Sequence, residues 1–277
     1  MNNDILFGLA ALAALLPSAF IAIGRREAIT SEARNDKGRD TTFWLTLAVA
    51  VAGPLVWTVV QMSGHWQAGI STSLWVTIAA SMIVFAIVAL LNEKAWRLTP
   101  LLTPYMAVLA VFAIVWQQVP VSRPLEIAAP RGWIEAHILV SVSTYALVTI
   151  AAVSALGAFL QERALRNKKP TSLTRLLPSV AESEGLLVRL LAISEVVLAL
   201  GLATGMATQY SETGQMIAWD HKAILSITAF AVIGVLLIAH FTSGVRGRLV
   251  TRFVLLAYLL LTLGYPGVKF VTDVLIG

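Results

Sequence analysis

Long apolar runs recur along the whole chain, separated by short polar gaps. This pattern predicts helices at 4–24, 42–61, 73–91, 100–119, 133–160, 187–208, 220–241 and 249–275. A helix needs about 20 apolar residues to cross the roughly 30 Å hydrocarbon layer of a bilayer, and each run is close to that length. The expected fold is therefore all-α: a polytopic membrane protein, a bundle of about eight transmembrane helices. It divides into an N-terminal four-helix segment (1–132) and a C-terminal one (133–277). No gap is long enough to hold a soluble domain. No internal repeat or low-complexity tract is visible, so the sequence lends no support to an inverted-repeat transporter.

Composition agrees with lipid as the solvent. The 277 residues are 58% hydrophobic and 13% charged, against roughly 25% charged in soluble domains. The net charge of +5 does not point to nucleic acid, because the cations sit in the gaps between apolar runs rather than along one face. Gaps 25–41, 92–97, 161–189 and 242–252 hold 16 of the 20 Lys and Arg. By the positive-inside rule these gaps face the cytoplasm, which places both termini outside. The first run lacks a basic leader and is followed by Arg25 and Arg26, the reverse of a secretory signal, so it is expected to be a retained helix.

Two gap features are readable. The fifth run exceeds what a bilayer needs, so its end at Gln161, Glu162, Arg163 and Arg166 is expected to project into the cytoplasm or the helix to tilt. Pro178 and the pattern Ser179-Val180-Ala181-Glu182 form a capping box that starts a helix leading into the sixth span.

Candidate chemistry is sparse. There is no cysteine, which excludes disulfides, thiolate metal sites and covalent thiol catalysis. No P-loop, zinc-protease motif or nucleophile elbow is present, and no enzymatic activity is expected. Of four histidines, His137 lies one turn into the fifth span and His221 opens the seventh, both at the outer depth. Imidazoles from two neighbouring helices could ligate one iron axially, as in b-type haem proteins. His137 also reads as a structural histidine, and His221 as a side chain snorkelling beside Lys222. Ser141, Thr144 and Tyr145 follow His137 on the same helix face, as hydrogen-bonding groups for a ligand or as glue between helices.

Trp57, Trp66, Trp75, Trp116, Trp133 and Trp219 fall at outer span ends or in outer loops, as an aromatic belt or as a platform for a porphyrin edge. Arg123, Arg131 and Lys222 are the outer cations able to meet propionates. His65 is a further candidate in a short outer loop. His240, at the opposite end of the seventh span from His221, is too distant to share a metal with it. Glu195 is the acid well inside a span, readable as a proton relay or as a hydrogen-bonding group to a neighbouring helix.

Several segments resemble one family. The run Glu135-Ala136-His137-Ile138-Leu139, followed by Ser143-Thr144-Tyr145-Ala146, resembles the histidine-bearing helix of the CcsA/CcmC/HemX superfamily of haem-handling cytochrome c assembly proteins. Leu176-Leu177-Pro178-Ser179 with Glu182 resembles its cytoplasmic linker, and Leu200-Gly201-Leu202-Ala203-Thr204-Gly205 its following helix. Trp219-Asp220-His221-Lys222 resembles the tail of the tryptophan-rich signature. Ala239-His240-Phe241, Gly244-Val245-Arg246-Gly247-Arg248 and Gly264-Tyr265 resemble later landmarks. The resemblance covers about residues 133 to 277 and is nearest to the eight-helix HemX-like or YpjD-like branch.

It implies a multi-pass protein of the bacterial inner membrane that binds haem b non-covalently on the outer side. His137 would be an axial ligand with His221 as its partner. Cytochrome c assembly or haem-synthesis proteins would be its partners beside the lipid bilayer. The full tryptophan-rich signature is absent: His221 stands at its usual proline and Ala223 at its glutamate. Two rival readings remain: a small-solute transporter or channel, from Glu195 and the polar stripe, and a scaffold regulating haem synthesis, from the basic segment between Arg163 and Arg189.

Overall fold

A computed structural model describes residues 2–24, 40–63, 69–118, 131–216, 219–245 and 247–271. Those residues form helices and no strand. In chain order they are α1 (Asn2–Gly24), α2 (Thr41–Met62), α3 (Ile70–Leu91), α4 (Thr99–Val115), α5 (Arg131–Arg166), the short α6 (Ser172–Leu176), α7 (Val180–Thr213), α8 (His221–Ser243) and α9 (Arg248–Thr262). A π-helical turn, Leu263–Gly267, continues α9, with Pro266 inside it. Among the described residues seven helices are long and apolar enough to cross a membrane, and α1 adds the shorter apolar stretch Asp4–Phe20. The all-α polytopic architecture is as the hydropathy pattern predicts.

Helices span lipid because each satisfies its own backbone hydrogen bonds. Buried hydroxyls follow the same logic: Thr58, Thr77 and Thr103 donate to carbonyls one turn back, at 2.7, 2.9 and 2.7 Å. The core runs along α3, whose Trp75, Ile78, Met82 and Phe85 are fully buried. Small residues set the close contacts. A methyl group on Gly53 of α2 would overlap Ala14 of α1, so the two backbones approach closely only with glycine there.

The long pair α5 and α7 frames the second half. At 1.5 Å per residue they run about 54 and 51 Å, well beyond the hydrocarbon layer. The overhang is stapled: Gln161 Nε2 donates to the carbonyls of Thr174 and Leu177, at 2.6 and 3.1 Å, and Ser154 Oγ donates to the carbonyl of Ser183, at 2.9 Å. At the same end Glu162 pairs with Arg166 and Arg248, at 2.7 and 3.4 Å. Gly247 holds φ +71°, in the left-handed region, and its N–H donates to Glu184 Oε1 at 2.9 Å.

The capping box forms as expected. Ser179 Oγ accepts from Glu182 N at 3.3 Å, and Glu182 Oε2 accepts from Ser179 N at 2.9 Å. The helix it starts is continuous with the sixth span, so α7 begins at Val180 rather than near 187. Nothing between the cap and the apolar run breaks the helix. At the other extreme, α8 has only Ala229, Ile233 and Leu236 buried, and its first part, 221–228, has no buried residue.

Candidate functional site

His137 sits on the second turn of α5, with its ring laid against α7. Nδ1 is 3.2 Å from the carbonyl oxygen of Gly201 and 3.3 Å from Thr204 Oγ1. A carbonyl only accepts, so Nδ1 carries the hydrogen. The Thr204 hydroxyl donates to its own helix, to Leu200 O at 2.9 Å, leaving its oxygen as a second acceptor. With the hydrogen fixed on Nδ1, the lone pair lies on Nε2, which makes no hydrogen bond among the described residues. Metal-ligating histidines are held in this way, with one ring nitrogen on a carbonyl and the other free to bind.

Glycine makes the seat. A Cβ on Gly205 would lie 3.0 Å from His137 Cε1, so a side chain there would displace the ring. Gly201 and Gly205 are four residues apart and share one face of α7, and both face α5.

Two adjoining cavities meet at the ring, of about 210 and 150 Å³. Both are lined by His137, Gly201, Leu202, Lys222 and Ser226. The larger reaches toward the C-terminal end of α7 and the N-terminal end of α8, past Met206, Gln209, Met216 and Asp220. The smaller goes deeper, past Ser141, Thr144, Tyr145, Leu198 and Tyr265.

The polar stripe below His137 is not uniformly available to a ligand. Thr144 donates its proton to Val140 O at 2.9 Å. Tyr145 belongs to a chain of hydroxyls whose direction is fixed at one end. Thr262 Oγ1 donates to Tyr258 O at 2.8 Å, so it must accept from Tyr145, 3.1 Å away. Tyr145 then accepts from the Tyr258 hydroxyl at 3.1 Å, and Tyr258 accepts from Tyr105. The chain joins α5, α9 and α4. Ser141 makes no hydrogen bond among the described residues and is the free hydroxyl of the stripe.

The remaining candidates lie elsewhere. His221 is the first residue of α8 and is exposed; it does not line either cavity, although Asp220 and Lys222 on either side of it do. Asp220 caps the helix, accepting from Ala223 N at 2.7 Å. Trp133 and Trp219 are 48% and 75% exposed and line neither cavity. His240 closes α8 locally, with Nδ1 donating to the carbonyl of Val245 at 3.0 Å. Arg131 opens α5, while the side chain of Arg131 and the whole of His65 and Arg123 are outside the described residues. Glu195 lies in mid-span facing α8, and its Oε2 is buried with no hydrogen-bond partner among the described residues. The expected bond to a neighbouring helix is therefore missing at that oxygen.

The sequence reading missed Gly201, Gly205, Met206 and Met216. The small-xxx-small spacing of the two glycines was a readable sign of close helix approach. The acceptor for Nδ1 is a backbone atom, which no residue type announces.

Among the described residues no group of three His, Cys, Asp or Glu converges on a metal. The class is thus a multi-pass helical membrane protein with a cleft built around one carbonyl-anchored imidazole. Residues 47–276 match the family described as Cytochrome C assembly protein, and the chain belongs to that family. It is 52% identical, over the whole length of both chains, to an "Uncharacterized 28.8 kDa protein in nifR3-like 5'region" of Azospirillum brasilense. It is 30% identical over 194 residues to "Inner membrane protein YpjD" of Escherichia coli strain K12, covering 69% of this chain and 70% of that one. With its apolar helices, this makes it a multi-pass inner membrane protein. No solved structure matches it.

Proposed function

We propose that the chain handles haem in cytochrome c biogenesis or haem traffic, holding a b-type haem between α5, α7 and α8 at the extracytoplasmic side. It binds haem without transforming it. The carrying observation is His137: Nδ1–H is fixed on the Gly201 carbonyl, and Nε2 is free beside a cavity. An iron that arrives already held by a porphyrin needs only one or two protein ligands, which suits a site without a cluster of metal-binding side chains. With no cysteine in the chain, a bound haem is non-covalent.

The rest of the lining fits the same guest. Leu198, Leu202 and Ile227 offer apolar walls, and Lys222 offers a cation for a propionate. Small-molecule sites run to roughly 300–1,000 Å³, so a macrocycle requires the two cavities to merge and the outer half of α8 to give way. When bound, the iron porphyrin supplies a redox-active or transferable cargo; the protein supplies the ligand, the walls and the counter-charge. Its partners would be proteins of cytochrome c assembly or haem synthesis.

Purification in detergent, with haemin added where needed, tests this. Wild type should bind haem in a defined ratio, with the Soret and α bands of a nitrogen-ligated haem, and His137→Ala should lose them. Equal haem content and identical spectra in both would overturn the assignment.

A further inference from the structure

Five buried polar atoms without a hydrogen-bond partner among the described residues gather at one end of the first four helices. They are Trp57 Nε1 and Gln61 Oε1 of α2, Ser71 Oγ and Trp75 Nε1 of α3, and Gln117 Oε1 just past α4. Each lies within two turns of the end where α2 and α4 finish and α3 starts. We propose that these groups form a second site, separate from the His137 cleft, which holds a cluster of ordered water.

Contacts through α1 and the phase of α3 bring the groups together. Phe7 of α1 stacks on Trp57, with ring centroids 5.6 Å apart, and a Cβ on the adjacent Gly8 would lie 3.4 Å from Gln117 Oε1. Trp57 and Gln117 thus flank a single turn of α1. Gln61 follows Trp57 by four residues and shares its face of α2. On α3, Ser73 hydrogen-bonds Tyr265 of the π-helical turn. Ser71 and Trp75 lie two residues to either side, about 200° round the helix, so they face away from that turn. The short segment Trp116–Gln118, which carries Gln117, packs on α3 as well.

The surrounding helices do not answer these groups. Neighbouring hydroxyls turn back on their own helices, Thr58 to Pro54 O at 2.7 Å and Ser73 to Gly69 O at 3.0 Å. Ser71 is the second residue of α3 and has no helical carbonyl one turn behind it. An indole N–H only donates, an amide carbonyl only accepts, and a hydroxyl does both. Together they suit a small molecule that also does both. Lipid tails do neither, and an unpaired polar group inside a membrane is costly. A buried water makes about three hydrogen bonds, so about two waters serve all five groups. The five groups are neutral, and Asp4, one turn from Gly8 on α1, is exposed. The site therefore calls for no ion and stands apart from the haem reading.

Radiolytic hydroxyl labelling of the full-length protein in detergent tests this, because X-rays make radicals from waters in place and mark the side chains they touch. Trp57 and Trp75, only 5% and 0% exposed, are expected to be oxidised, as exposed Trp219 is. Met106, fully buried in the middle of α4, should stay unmarked. Trp57 and Trp75 left as unmarked as Met106 would overturn the proposal.

Substitution gives a second readout. Deleting a group that holds water costs stability, whereas deleting an unpaired one relieves a cost. Ser71→Ala and Gln61→Met should each lower the melting temperature and weaken the marking of Trp57. A rise in melting temperature in both variants would also overturn the proposal, and would leave the haem reading untouched.

Discussion

The imidazole of His137 rests on Gly205, so closely that one added methyl group would lie 3.0 Å from its Cε1. The ring is seated on a helix backbone rather than among side chains. Gly205→Ala should therefore tilt the ring off the Gly201 carbonyl and weaken haem binding about 10- to 100-fold, the usual effect of disturbing the group that orients a metal ligand. Gly205→Leu should abolish binding. Haem titration of the purified variants checks both, and undiminished affinity in Gly205→Leu would refute the seat.

The hydroxyl chain predicts an order of effects. Tyr258 holds two of its bonds, one to Tyr105 and one to Tyr145, whereas Tyr105 is a terminal donor. Intramembrane hydrogen bonds average about 0.6 kcal/mol. Tyr258→Phe should thus cost about 1 kcal/mol, and Tyr105→Phe about half of that. Reversible unfolding in mixed micelles would measure the two, and a larger loss in Tyr105→Phe would contradict the central place of Tyr258 in the chain.

Glu195 and Gly234 supply a third case. A Cβ on Gly234 would come 2.9 Å from Glu195 Oε1, so Gly234→Ala should push that carboxylate tip aside at a cost of about 0.5–1.5 kcal/mol, that of an off-rotamer side chain. Shortening the acid relieves the clash. The double variant Glu195→Ala, Gly234→Ala should be more stable than the sum of the single losses implies, measured by the same unfolding assay.

The start of α7 gives a fourth. Ser179→Ala removes the acceptor for Glu182 N and should cost about 1 kcal/mol. Glu182→Ala, which deletes the reciprocal bond to Ser179 N, should cost a similar or smaller amount. Thermal melts in detergent read both, and no shift in either variant would mean the cap is replaced by water.

Most of the fold was legible because bilayer thickness sets a length that apolar runs must match, and the runs matched it. Boundaries were less so. Hydropathy placed the sixth span near 187, but the capping box at Ser179 had already started that helix, and backbone hydrogen bonding continues through polar turns that hydropathy discounts. The last span was read as one helix to 275; its described part passes into a π-helical turn around Pro266.

The site was legible in part. His137 stood out as an imidazole in an apolar helix, and Lys222 as an outer cation. Residues on a helix are about 100° apart around its axis, so adjacent residues face different neighbours. The phase of α8 turns Lys222 to the cavity and His221 to the outside, and nothing in the local sequence states that phase. The Gly201 acceptor was hidden because it belongs to the main chain.

The shallow burial of α8 bears on how a guest gets in. Its first buried residue is Ala229, so the stretch from 221 to 228 is held mainly from one end, with half-buried Leu225 and Ser226 resting against Gly264. Bending that stretch outward would part only the light contact of Leu225 and Ser226 with Gly264, and Ile224 on it is exposed. On the proposed haem reading, the least costly doorway to the imidazole opens sideways beside α8, toward the lipid.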